Sequence, residues 1–248
     1  MADQNKLAFD LEDCDENAAG TKRELLVLPQ GAVAGRVITV TSAQAGEGVS
    51  TISRRVALSL THHLGDTLLV DAHLCRASNE PTEGRVAPAP GLAEAIAGTS
   101  AIESLIAVDE KKQLHLLPAG YCARHSMLLV ASSDFDRLML LLRRRYKWIV
   151  IDAPPIALVQ DAAAISRAAD GTIIVVRAEC TRTEVVAEAQ RVITRAGGKI
   201  LGAVLNRRRY YIPNWLYRTL YGQASISPIS ATKPTDHGKR SGSSVQIK

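Results

Sequence analysis

The chain has 248 residues, 46% of them hydrophobic and 22% charged, with a formal net charge of +5. That length buries a full α/β core, and no apolar run approaches the ~20 residues of a membrane helix. The cysteines, Cys14, Cys75, Cys122 and Cys180, lack the paired spacing of a disulfide framework or a zinc site. Reduced cytosolic thiols and an acidic rather than basic start predict a protein that is neither exported nor membrane-spanning.

In chain order, residues 1–34 form an acidic extension in which Asp3, Asp10, Glu12, Asp13, Asp15 and Glu16 outnumber Lys6 and Lys22. Arg36 to Thr41 is rich in β-branched residues and predicts a buried strand. Val40 to Thr51 then reads Val-Thr-Ser-Ala-Gln-Ala-Gly-Glu-Gly-Val-Ser-Thr, a phosphate loop with valine where its lysine belongs. Gly46 and Gly48 supply bare backbone N–H groups, Glu47 lies between them, Ser50 offers a hydroxyl to Mg²⁺, and Thr51 opens the helix. Ile52, Val56, Leu60 and Leu64 repeat at helical spacing until Gly65. A strand, glycine loop and helix in series place the loop at a positive helix end suited to anions.

Two more apolar strands end in carboxylates, Thr67 to Asp71 and Lys147 to Asp152. Ligands of open α/β sheets bind beyond the strands' carboxyl ends, so Asp71 and Asp152 would converge from two neighbouring strands and are candidates to hold Mg²⁺ or orient an attacking hydroxyl. The alternative is that each caps the turn that follows it. Ser132 to Arg145 carries Phe135, Leu138, Met139 and Leu142 on one stripe, and Arg143, Arg144 and Arg145 suit its C-terminal dipole. Thr181 to Glu184 has a capping-box pattern for a helix ending at Gly197-Gly198. Strands alternating with such helices predict a three-layer α/β fold, a mostly parallel twisted sheet with helices on both faces.

Asn206 to Gly222 combines Arg207, Arg208 and Arg209 with Tyr210, Tyr211, Trp215, Tyr217 and Tyr221. Three readings stand: docking on the protein's own core, an interface with a partner or membrane surface, or phosphoacceptor tyrosines. The tail, residues 223–248, is rich in Ser, Gly, Pro and Thr and reads as disordered and basic. It is either an electrostatic contact for an anionic surface or simply solvated.

Thr41 to Thr51, the Val-Asp-Ala-x-Leu-x-Arg stretch of Val70 to Arg76 and the Ile-Asp-Ala-Pro-Pro stretch of Ile151 to Pro155 resemble the cytoplasmic domain of bacterial tyrosine kinases. These P-loop autokinases accompany capsule and exopolysaccharide chain-length and export proteins and are related to partition ATPases. Gly91 to Gly98, Leu114 to Gly120, Asp161, Gly171 to Arg177 and Gly202 to Asn206 look like that family too, so the resemblance spans residues 35–222. It implies ATP or ADP with Mg²⁺ as cofactor. Gly46, Glu47, Gly48, Val49, Ser50 and Thr51 would meet the phosphates, Ser50 and Asp152 the metal, and Asn206 the adenine ring. Asp71 and Asp152 would be the catalytic carboxylates.

It further implies a partner in the cytoplasmic end of a membrane co-polymerase, self-association, a peripheral place at the inner membrane and no nucleic acid. The departures are Val49, His73 in place of the second aspartate of an Asp-x-Asp pattern, no Glu-x-x-Arg-x-x-Arg-like assembly helix, and tyrosines that stop before the tail. Removing one preorganised donor costs about 10²- to 10³-fold in rate, roughly 3–4 kcal/mol. A lost lysine charge predicts at least that, with nucleotide binding surviving better than turnover. Arg54, Arg55 or Arg76 could compensate, as could a cation supplied in trans, but Arg54 and Arg55 read as solvated or paired on the outer face. Non-catalytic adaptor and partition-type ATPase are the alternative functions.

Overall fold

The computed structural model describes residues 6–10, 25–29, 35–74, 89–109, 113–121, 126–157 and 161–207. All fall in the first of the two units into which the chain divides, Met1–Arg208. Tyr210, Tyr211, Tyr217, Tyr221, Arg76 and the tail lie outside the described residues.

Seven strands make the principal sheet: β3 (Arg36–Ser42), β4 (Thr67–Asp71), β5 (Ala107–Asp109), β6 (Leu114–Leu117), β7 (Trp148–Asp152), β8 (Gly171–Arg177) and β9 (Ile200–Asn206). Their order is β5-β6-β4-β7-β3-β8-β9, and every pairing is parallel except that of the edge strand β5 with β6. A separate antiparallel pair, β1 (Lys6–Asp10) with β2 (Leu25–Pro29), lies in the acidic extension, where the sequence reading placed no strand.

The pleat explains why the central strands are apolar throughout. Side chains alternate between faces, so Leu68, Val70, Ile149 and Ile151 enter one core while Leu69, Val150 and Trp148 enter the other. The first core is covered by α2 (Leu92–Ala97), α4 (Ser126–Val130), α5 (Ser133–Arg145) and α6 (Asp161–Ala168). The second is covered by α1 (Val49–Leu64), through Ile52, Val56 and Leu60. The short α3 (Ile102–Leu105) adds Leu105 to the first core, and α7 (Thr183–Arg195) buries Ala189 and Ile193. Each fully buried Phe or Leu contributes about 1.5–3 kcal/mol, so Phe135, Leu142, Leu60 and Leu68 are major anchors.

Three local readings change. Helix α1 begins at Val49 rather than Thr51, because Gly48 takes the left-handed conformation (φ 96°) and helical geometry resumes in the next residue. Thr181 does not cap α7: the helix begins at Thr183 after Arg182, and the Thr181 hydroxyl donates to the Glu47 carboxylate instead. A buried carboxylate is a stronger acceptor for that hydroxyl than the cap is a site for it. Arg143 does more than face the end of α5. Its guanidinium binds both Asp170 oxygens at 2.7 and 3.0 Å and the carbonyl of Gly35 at 2.8 Å, stapling α5 to the starts of β3 and β8.

Candidate functional site

The site is assembled at the carboxyl ends of β3, β4 and β7. Because β7 lies between β4 and β3, Asp71 and Asp152 are register partners and Val40 is opposite Asp152. The chain leaving β7 stays alongside the loop: Ala153 N–H donates to Val40 O, Ile156 N–H to Ser42 O, and the Thr41 hydroxyl to Pro154 O at 2.7 Å. The loop and Asp152 are therefore fixed in one frame.

Glu47 is the brace of that loop. It is 2% exposed, and its carboxylate accepts the backbone N–H of Gln44 at 2.8 Å, the N–H of Arg177 at 3.3 Å and the Thr181 hydroxyl. The residue expected beside the phosphates thus turns its side chain into the fold. Asn206 acts from the other side: its Nδ2 donates to Glu47 O at 2.8 Å, and its Oδ1 accepts from Arg207 N–H. A Cβ at Gly48 would stand 2.2 Å from Asn206 Nδ2, so glycine is required there by crowding as well as by its positive φ. The amide expected to face an adenine ring makes two of its hydrogen bonds to this frame.

Val49 is 7% exposed and packs in the apolar core under α1. Ser50 and Thr51 are exposed in the same first turn, whose N–H groups lack intrahelical partners. Arg54 turns away to Asp109 at 3.4 Å, in an exposed pair.

Asp152 is buried; the Ser53 hydroxyl donates to it at 3.2 Å, and the Ser50 hydroxyl also favours its charged form. Burial pushes its carboxyl above the usual carboxylate range. The His73 imidazole and the two hydroxyls pull it back, and the charge of Asp71 pushes it up. His73 bends back on Asp71, with both its backbone N–H and its Nδ1 at 2.9 Å from Asp71 Oδ1, and Nδ1 is 3.8 Å from Asp152 Oδ2. In the sequence His73 is a departure from an Asp-x-Asp pattern, and its spacing from Asp71 at a strand end is the signal that it shares the site.

A parallel sheet with a glycine loop between β3 and α1, and acidic ends on the neighbouring strands, defines a P-loop nucleotide-site scaffold. A family profile described as "Cellulose biosynthesis protein BcsQ" matches residues 36–193. "Tyrosine-protein kinase CpsD" of Streptococcus agalactiae serotype III is 31% identical over 172 residues, covering 69% of this chain and 74% of the relative. "Succinoglycan biosynthesis transport protein ExoP" of Rhizobium meliloti is 31% identical over 199 residues, 78% of this chain and 23% of that one. Among solved structures, the VpsO kinase domain superposes with a TM-score of 0.63 at 36% identity, over 71% of this chain and 86% of that one. The chain belongs to the P-loop family that holds the bacterial tyrosine kinases and BcsQ.

Proposed function

We propose that this chain is a tyrosine-kinase-like P-loop protein of polysaccharide biosynthesis and export whose own phosphoryl transfer is impaired. The observation that carries the reading is the contrast inside one loop. Gly46 and Gly48 keep the left-handed backbone and Glu47 and Asn206 hold it, while Val49 buries an isopropyl group where the family places a phosphate-reaching lysine. Relatives named for tyrosine phosphorylation, cellulose biosynthesis and succinoglycan transport support the process.

ATP or ADP with Mg²⁺ is the cofactor. The residues fit it: Ser50 lies close enough to act on the Asp152 carboxyl, and the two offer hard oxygen donors of the kind Mg²⁺ takes beside its waters and phosphates. Mg²⁺ supplies charge neutralisation at the phosphates when bound. Backbone N–H groups of the loop and of the first turn of α1 bind and orient the phosphates, and Asp71 and Asp152 are the carboxylates at the reacting end. With Val49 in place, no side chain at that position counters the charge developing between β- and γ-phosphates, so binding outlasts turnover. Asn206 would touch the base with the polar atoms its bracing role leaves over.

The partner in this reading is the cytoplasmic end of a membrane co-polymerase, met at the inner-membrane surface, with Tyr210, Tyr211, Tyr217 and Tyr221 as contact or phosphoacceptor residues. No helix among the described residues is long and apolar enough to cross a membrane. A non-catalytic adaptor is the second reading, favoured by the same valine. The deciding experiment measures Mg·ATP affinity and phosphotyrosine formation by wild type and Val49→Lys, each with and without the partner's cytoplasmic segment. Binding without turnover in the wild type is expected. Tight binding with vigorous autophosphorylation would refute impairment, and binding by neither form would refute the nucleotide site.

A further inference from the structure

Asp71, His73 and Asp152 form a group in which one ligand atom from each lies within 4.8 Å of the others. We infer that this group is a binding site for a divalent transition ion of the zinc class, held directly by Asp71, His73 Nδ1 and Asp152 without any nucleotide. Zinc–nitrogen and zinc–oxygen bonds of about 2.0–2.2 Å at tetrahedral angles give ligand-to-ligand edges of about 3.3–3.6 Å. His73 Nδ1 stands 2.9 Å from Asp71 Oδ1 and 3.8 Å from Asp152 Oδ2, each near such an edge, and the 4.8 Å span of the group closes as the two carboxylates draw together by roughly an ångström.

The donors are also preorganised. His73 is 8% exposed, and its backbone N–H closes a tight turn on the same Asp71 oxygen that its ring faces. Asp71 and Asp152 end adjacent parallel strands in register, which fixes their separation. Ser53 supports Asp152 by donating its hydroxyl to Oδ1 at 3.2 Å, the kind of contact that tunes metal sites. Two carboxylates alone would suit a hard ion such as Mg²⁺, whereas one imidazole added to them shifts preference toward zinc, cobalt or nickel. On binding, the metal takes the Nδ1 lone pair, and the ring proton resides on Nε2 or leaves to solvent.

The test uses the full chain stripped by a chelator and titrated with Co²⁺, read by its visible d–d absorption, then with Zn²⁺ in competition, all without nucleotide. One equivalent of Co²⁺ is expected to bind and be displaced by Zn²⁺. His73→Asp should lose the nitrogen-ligand spectrum and weaken Zn²⁺ at least about tenfold, the lower limit for changes merely beside a ligand. Asp71→Asn, which keeps shape and size, should weaken both ions as well. The double variant His62→Ala with His63→Ala should bind as wild type does. No Co²⁺ spectrum in the wild type, an unaltered one in a folded His73→Asp or Asp71→Asn chain, or loss of binding in the His62/His63 variant would overturn the assignment. Mg·ATP affinity is a separate titration, so failure of the metal site and failure of the nucleotide site are distinguishable.

Discussion

At the amino end of the sheet, Arg143 and Asp170 neutralise each other with a two-pronged ion pair that also clasps Gly35. At the carboxyl end, Glu47, Asp71 and Asp152 gather around backbone N–H groups, hydroxyls and His73. The first arrangement is closed: donors and acceptors match, and its effect is to tie helix α5 to two strands. The second is short of a cation at position 49 and keeps a carboxyl pushed upward by burial. The first end matches its charges within the fold, whereas the second is where the proposed ligands would complete them.

Val49→Lys should blur the contrast most. If the rest of the site is competent, phosphoryl transfer should rise about 10²- to 10³-fold, roughly 3–4 kcal/mol, measured as ATP hydrolysis and phosphotyrosine. The same variant should lower the unfolding midpoint of the nucleotide-free chain, since a buried isopropyl group leaves the core under α1. An unchanged rate would mean that the carboxyl end lacks more than a lysine.

Glu47→Ala should come next. It strands the N–H groups of Gln44 and Arg177 and the Thr181 hydroxyl, and an unmet buried polar group costs about 1–3 kcal/mol. Urea unfolding should show a loss of about 3 kcal/mol; equal stability would remove Glu47 as the brace. Arg143→Ala should cost less, about 1–2 kcal/mol, because Asp170 is 42% exposed and screened. It should leave Mg·ATP affinity unchanged, and a parallel loss of affinity would join the two ends that the comparison separates.

The smallest effect concerns pH. Folding raises the Asp152 carboxyl above its ordinary value of 3.8, so the folded chain holds that proton more tightly than the unfolded one. Its contribution is fully present below 3.8 and is lost as pH rises through the folded value. Relative to Asp152→Asn, wild-type stability should therefore fall across that window and run parallel above it. Urea midpoints over a pH series check this; a difference that grows in the other direction would mean that His73 and the serines outweigh burial.

Strands β3, β4 and β7 were legible because they are buried on both faces and so read as continuous β-branched or apolar runs. The loop was legible because its glycines are demanded by local backbone geometry. The full strand order was not, since a parallel crossover leaves no local mark of which strand inserts where; only the adjacency of the strands ending in Asp71 and Asp152 was expected, and β4 does pair with β7. Nor was the role of Thr181: its sequence pattern is that of a helix cap, but its partner, Glu47, is 134 residues away. The pairing of β1 with β2 was hidden by an acidic composition that suggested only an extension. Within the site, Asp71 and Asp152 could be read as strand-end carboxylates, whereas their convergence on the ring of His73 depends on register that only the folded sheet supplies.

The crowding at Gly48 and the burial of Val49 have unequal consequences for inheritance. Position 48 has no room for a Cβ beside Asn206, so almost any replacement there disturbs the frame. Position 49 takes no side-chain part in shaping the loop, and an apolar residue there even adds to the core. Position 49 is therefore free to vary between a side chain that fills the core and one that reaches outward, while its neighbour is held to glycine by crowding.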